Sequence, residues 1–244
     1  MKKPLVDLHT HLLPQTDDGT RSIKESLLCF EKASELGYQT IVLTPHYLPG
    51  VNKSYQANCE MFRILRKKMR KKNITMNLIL ANEVMLSDDV VHDLVNQAIV
   101  TINDSRYLLV ELPMYSNGQD VKNLLYKLKE AQIVPVIAHP ERSDYLQTDI
   151  TRIDDLLKIG VVLQLNAASL FGFYGKQAKE IAQELLQQKK VHLIASDAHS
   201  PEVYAILEKC LNYITKKYGA KTCEMLFSTN PQAIIADKDV HRIK

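Results

Sequence analysis

Residues 5–13 read Leu5-Val6-Asp7-Leu8-His9-Thr10-His11-Leu12-Leu13, an apolar run that ends in two histidines spaced two apart. Such a run predicts a buried strand, and in an extended chain residues two apart point the same way, so His9 and His11 are set to face one point. Outward from this stretch the same composition recurs. Short runs rich in Val, Ile and Leu lie at Leu5 to Leu8, Thr40 to Leu43, Asn77 to Leu80, Tyr107 to Leu112, Val134 to Ala138, Val161 to Leu165 and Val191 to Ala195, seven candidate strands in all. Most are separated by amphipathic stretches such as Ile23 to Leu36, apolar at 23, 27, 30, 33 and 36, or Val121 to Leu128. Uninterrupted apolar strands alternating with helices predict an α/β fold with a parallel sheet covered on both faces. Seven such units without a composition break favour a closed or nearly closed barrel, with a doubly wound open sheet as the alternative.

The chain has 244 residues, 45% hydrophobic and 24% charged, enough to bury a sizeable core as a single domain spanning 1–244. Its 31 basic and 28 acidic side chains leave a formal charge of +3, too balanced to argue for a nucleic-acid partner. The apolar run after Met1-Lys2-Lys3-Pro4 is too short for a signal-peptide core or a membrane span, which predicts a cytoplasmic protein not integral to a membrane. Cys29, Cys59, Cys210 and Cys223 are scattered without a C-x-x-C pair, so reduced thiols are expected. Gly37 and Gly160 are C-cap candidates, Ser200-Pro201 is placed to open a helix, and the tail from Glu202 to Asp237 is helical in pattern, with a last helix starting at Asn230-Pro231.

Chemistry-bearing residues repeat at the carboxyl ends of these runs. After His9 and His11 come Asp17-Asp18-Gly19, then Thr44-Pro45-His46, Asn82-Glu83, Glu111, His139-Pro140-Glu141-Arg142 and Ser196-Asp197-Ala198-His199. Singly each has an ordinary reading: a core histidine, an exposed acid, a helix cap, a solvated turn. Together, at six of seven strand ends that share one face of a parallel barrel, they form a cluster whose carboxylates would repel one another unless cations neutralised them. Nitrogen and oxygen donors without thiolate suit manganese, iron or zinc, and the carboxylate share leans towards manganese. Two or three closely spaced ions fit phosphate-ester hydrolysis better than redox chemistry. Arg142 could clamp a phosphoryl oxygen with its planar fork of donors, or form a surface ion pair with Glu141 or Asp144. The residues alone leave Asp17 and Asp18 open as the loop ligand.

In D-L-H-T-H-L-L-P-x-x-D-D-G, T-P-H, I-A-H-P-E-R, Q-L-N-A-A-S-L-F-G at 164–172 and A-S-D-A-H, the sequence resembles the PHP superfamily along almost its whole length. Within it, the motifs are similar to the manganese-dependent protein tyrosine phosphatases of bacterial capsular and exopolysaccharide clusters. The resemblance implies a distorted seven-stranded, TIM-barrel-like (β/α)7 fold with three Mn2+ ions. It assigns His9, His11, Glu83 and Asp197 to one ion, Asp18, His46 and His199 to a second, and Glu83, Glu111 and His139 to a third. Arg142, Asp197 and His199 are then the catalytic residues. The implied substrate is a tyrosine-phosphorylated protein, a bacterial tyrosine kinase, whose dephosphorylation regulates polysaccharide synthesis. One departure stands out: where the family often has another arginine after Asp-x-His, this chain reads Ser200-Pro-Glu-Val-Tyr-Ala-Ile.

Two rivals are carried alongside: a small-molecule phosphoesterase of histidinol-phosphatase type, and a non-catalytic metal-binding regulatory subunit of a kinase complex. A thiol-based tyrosine phosphatase is excluded, since that chemistry needs a cysteine with an arginine six residues later and no cysteine here has one. Finally, Arg63 to Lys72 holds seven basic residues in ten on a predicted helix. It reads as a solvated face, or as a patch that steers acidic phosphopeptides or an anionic membrane surface.

Overall fold

The structure, a computed structural model, describes residues 3–48, 51–52, 55–113 and 118–243. It is a mixed α/β fold with parallel sheets. The strands are β1 (Leu5–Thr10), β2 (Tyr38–Leu43), β3 (His46–Tyr47), β4 (Asn77–Leu80), β5 (Glu83–Met85), β6 (Tyr107–Glu111), β7 (Val134–Ala138), β8 (Val162–Asn166) and β9 (Leu193–Ala195). A three-stranded sheet has the order β1-β2-β4, and a six-stranded sheet the order β3-β5-β6-β7-β8-β9, every pairing parallel.

Where seven strands in one barrel were expected, the described residues thus form nine strands in two sheets. The difference arises because two of the expected strands, each present whole, resume after a break as short second strands, His46–Tyr47 and Glu83–Met85. β2 and β3 are separated by Thr44-Pro45, and β4 and β5 by Ala81-Asn82. Pro45 has no N–H to donate, so the ladder cannot run through it. The breaks are bridged by single bonds: Thr44 N donates to Thr10 O at 2.8 Å, Ala81 N to Leu43 O at 2.9 Å, and Glu83 N to Pro45 O at 3.2 Å. On the far side, the segment after β9 runs along β1: Asp197 N donates to His9 O at 3.0 Å and His11 N to Ala198 O at 2.9 Å.

Both faces of the strands are buried, which is why they read as unbroken apolar runs. Val6, Leu8, Val42, Ile79, Leu109, Val136, Val162 and Leu193 form one cluster on the inner face. Alternate residues such as Leu108, Val110, Ile137, Leu163 and Leu165 join the helices in a larger cluster outside. The helix Ile23–Glu35 starts on Ser22, whose side chain accepts from Glu25 N, and contributes Leu27, Phe30 and Ala33 to that outer layer. Gly37 and Gly160 follow their helices with φ of 94° and 101°, as expected. Pro201 lies just ahead of its helix, Val203–Tyr218, rather than inside it, and Asn230-Pro231 does open the helix Asn230–Ile235. Among the described residues no helix is long and apolar enough to cross a membrane.

A register irregularity in β1 positions the first two histidines. Asp7 pairs with Ile41 and Thr10 with Leu43, so β1 spends one more residue than β2 over the same rise. This is a β-bulge. Strict alternation would leave His9 and His11 on the face of Asp7, whose carboxylate accepts from Ser196 and Tyr204. The extra residue turns both histidines inward instead.

His192, at the entrance to β9, reports on folding. Its Nδ1 accepts the Leu163 N–H at 3.0 Å, so it is held neutral, and burial, with Arg242 and His241 nearby, lowers its pKa from 6.5 to about 4. The unfolded chain takes up this proton near 6.5 and the folded chain only near 4, so the stabilisation is whole above 6.5 and is lost as pH falls through that window. Urea denaturation should show the wild type losing on the order of 2 kcal/mol more than His192→Gln between about pH 7 and about pH 5. Equal losses in both proteins would contradict this.

Candidate metal centre

The inward-turned histidines are oriented from behind. His9 Nδ1 lies 2.9 Å from Gln164 Oε1, and the Gln164 amide is itself fixed by donating from Nε2 to Leu165 O at 2.8 Å. His11 Nδ1 lies 2.7 Å from Asp17 Oδ2, and His199 Nδ1 lies 2.9 Å from the carbonyl of Asp197. Each of these partners accepts only, so in the neutral ring each Nδ1 carries the proton and each Nε2 presents a lone pair. Those of His9 and His11 lie 3.0 Å apart and are both 3.1 Å from Glu83 Oε2. His46 Nδ1 approaches the same oxygen to 3.0 Å, while Glu83 Oε1 is 2.9 Å from His139 Nε2. Asp197 Oδ1 completes the group at 3.4 Å from His9 Nε2 and 3.3 Å from His11 Nε2.

This arrangement fits a cation. Glu83 Oε2 is buried and makes no hydrogen bond, although three ring nitrogens surround it. Acceptors facing acceptors in a desolvated site need positive charge between them. Protons feel the same pull: burial opposes protonation of His9 and His11, but the facing carboxylates outweigh it and raise both pKa values. Burial likewise opposes ionisation of Glu83 and Asp197, and the surrounding histidines hold both carboxyls well below the usual range. Among the described residues, donor atoms within 4.8 Å of one another form four overlapping groups: His9 with His11 and Glu83; His11 with Asp18, His46 and His199; His9 with His139 and Asp197; His46 with Glu83 and Glu111.

All nine residues read from the sequence as ligands therefore converge. Their grouping differs from the expected division in that His11 also joins the Asp18 set, and His139 sits with His9 and Asp197 while its Nε2 is 4.0 Å from Glu111. Asp17 and Asp18 do different things. Asp17 is buried behind His11 and accepts from Gly19 N and His46 N, both at 3.0 Å. Asp18 is exposed, with Oδ1 at 3.6 Å from His46 Nε2 and 3.5 Å from His199 Nε2. Just after them the chain folds back on His11 so closely that a Cβ on Gly19 would lie 1.9 Å from the His11 carbonyl oxygen. His139 and Asp197 both hold positive φ, 30° and 52°, a costly conformation for side chains other than glycine.

Arg142 pairs with Asp197 Oδ2 at 2.7 Å, while Glu141 turns away into the interior and accepts from Asn166 N. The surface ion pair considered for Arg142 is therefore not the one formed. Sequence reasoning missed the supporting roles of Gln164, Asn166 and Asp17. A signal existed for the first two: polar residues at alternate positions of an otherwise apolar strand, Val162-Leu163-Gln164-Leu165-Asn166. As for thiol chemistry, burial pushes Cys29 up to about 12 and Cys210 higher still, far from nucleophilic use.

A family model described as capsular polysaccharide synthesis, CpsB/CapC, matches residues 5–236. The tyrosine-protein phosphatase YwqE of Bacillus subtilis is 29% identical over 98% of this chain and 94% of its own length. The tyrosine-protein phosphatase CpsB of Streptococcus pneumoniae is 32% identical over 96% of this chain and 99% of its own. A crystal structure from the work on YwqE and CpsB, described there as unique metal-dependent tyrosine phosphatases, superposes with a TM-score of 0.90 at 29% identity, covering 98% of this chain and 97% of that one. A lactonase from Listeria monocytogenes matches with a TM-score of 0.60 at 10% identity over 98% of this chain and 96% of its own, a likeness of fold alone.

Because Asp17 orients a donor rather than facing the cavity, Asp17→Ala should weaken manganese binding about 10–100-fold in a calorimetric titration while the protein stays folded. Unchanged affinity would show that His11 needs no such support.

Proposed function

The chain belongs to the CpsB/CapC capsular polysaccharide synthesis family, and on that footing we propose that it is a metal-dependent protein tyrosine phosphatase. The observation that carries this reading is the convergence of His9, His11, Glu83 and Asp197 beside Arg142, in a chain whose near-full-length relatives are tyrosine-protein phosphatases. We assign His9, His11, Asp18, His46, Glu83, Glu111, His139, Asp197 and His199 as ligands of three Mn2+ ions, with iron or zinc as alternatives the donor set would accept. The two sheets are read together as one distorted PHP barrel, each broken strand counted once, and residues 1–244 as one phosphatase unit.

Bound divalent ions supply Lewis acidity, drawing charge from phosphoryl oxygens and lowering the pKa of water. The chain does the rest. Gln164, Asp17 and the Asp197 carbonyl hold protons on Nδ1 of His9, His11 and His199 and so keep each Nε2 free to ligate. Burial and the neighbouring His11 lower the pKa of His199, which keeps it a neutral donor atom near neutral pH. Asp197 turns Oδ1 to the histidines and Oδ2 to Arg142, coupling the ligand set to the phosphate clamp. Arg142 has further N–H groups to offer the equatorial phosphoryl oxygens. A tyrosyl leaving group, with a pKa of about 10, departs with less proton assistance than an alkoxide needs.

The substrate in this reading is phosphotyrosine on a bacterial tyrosine kinase, its removal regulating capsular or exopolysaccharide synthesis. The site of action is the cytoplasm, in keeping with four cysteines that form no disulfide. The seven basic side chains of 63–72 are exposed, on and just beyond the helix Tyr55–Lys71, and would draw acidic phosphopeptides to the site.

The reading is tested with purified protein, with manganese or with chelator, on a phosphotyrosine peptide, histidinol phosphate and an aryl phosphate. Manganese-dependent release from the peptide is expected, and a folded His9→Ala/His11→Ala variant should lose it entirely. Activity confined to histidinol phosphate, or no turnover of any of the three, would overturn it.

A further inference from the structure

Arg142 is held on two sides, and the second side has no counterpart among the ligand residues. Its edge meets Asp197, Nη1 donating to Oδ2 at 2.7 Å. Its face lies over the ring of Tyr174, with the guanidinium carbon 4.1 Å from the ring centroid. A third group ties these together. Asn166 Nδ2 donates to the same Asp197 oxygen at 2.9 Å and lies 3.4 Å from the Tyr174 hydroxyl. Asn166 is at the end of β8, and Tyr174 follows the short 3-10 turn Ala167–Phe171 that this asparagine caps by accepting from Ala168 N.

We propose that Tyr174 is a positioning residue for the phosphoryl-binding arginine. This rests on the reading of Arg142 as the phosphate clamp and adds to it the group that orders that clamp. A free arginine side chain has many rotamers, and most would swing its donors away from the site. The edge contact alone leaves the guanidinium able to rotate about the Nη1 to Asp197 bond. Stacking on Tyr174 removes that freedom, because a cation held over an aromatic face is attracted to the ring and the plane of the fork is set by it. The remaining N–H groups are thereby presented in one direction. The need is greater here because the stretch after Asp197-Ala198-His199 contains no second arginine to share the phosphate, its residues being Ser200-Pro-Glu-Val-Tyr-Ala-Ile.

The test compares wild type, Tyr174→Phe and Tyr174→Leu, each also combined with Arg142→Ala, in the full manganese-loaded protein. Three quantities are read: inorganic phosphate affinity by calorimetry, KM and kcat for p-nitrophenyl phosphate, and melting temperature with metal content as controls. Tyr174→Leu should weaken phosphate binding and raise KM about tenfold, with a smaller fall in kcat. Tyr174→Phe, which keeps the ring, should rescue most of both. In the Arg142→Ala background Tyr174→Leu should have no further effect, since the tyrosine acts through that arginine. The proposal is overturned by unchanged phosphate affinity in a folded, metal-loaded Tyr174→Leu, or by an equal loss with and without Arg142. Because phosphate affinity is read directly, an inactive wild type would sink the phosphatase reading while still deciding this one.

Discussion

One crowding problem governs the carboxyl ends of these strands: a buried carboxylate oxygen, Glu83 Oε2, among three imidazole nitrogens with which it shares no hydrogen bond. The protons that could have mediated are committed outward, to Gln164 behind His9 and Asp17 behind His11. Around Glu83, His9 and His11, whose side chains are fully buried, lone pairs face one another where an unmet polar group is most costly. Positive charge is the only remedy. The raised histidines and lowered carboxyls express that demand in protons, and a divalent ion meets it with more charge at the same place. Metal affinity and proton release are therefore linked, since each ligand must be deprotonated to bind.

Building such a convergence requires departures from regular structure. The bulge in β1 reverses the facing of His9 and His11, and breaks at Pro45 and Asn82 free His46 and Glu83 to lean inward while remaining paired to one another. His139 and Asp197 occupy the left-handed region, at about 1–3 kcal/mol each. Gly19 lets the acidic loop lie against the His11 carbonyl. These irregularities lie at or beside the site, and the buried apolar layers on both sides of the sheets supply the stability that offsets them.

The two sides of Asp197 connect the chemistry. One oxygen joins the histidines; the other anchors Arg142 and Asn166. The histidine cluster and Arg142 thus share one side chain, so a displacement of either is felt by the other. More distant neighbours such as the lactonase share the fold, and fold alone does not determine a reaction.

Residue type and spacing along the chain were enough to determine that strands alternate with helices, that both strand faces are buried, and that histidines and carboxylates gather at the strand ends, because periodicity and composition are local properties. The nature of Arg142 as a phosphate clamp candidate was legible as well, from its place three residues past His139. The rest belonged to tertiary structure. The choice between Asp17 and Asp18 depends on which side chain the turn buries behind His11, and adjacent acids look alike in sequence. The splitting of two strands and the bulge in β1 depend on register against a neighbour far along the chain. The pairing of Arg142 with Asp197 and its stacking on Tyr174 join residues 55 and 32 positions apart. Contacts of that kind arise only when the sheet brings its strand ends to one place, which is why the converging histidines and carboxylates were legible in the sequence but the groups that aim them were not.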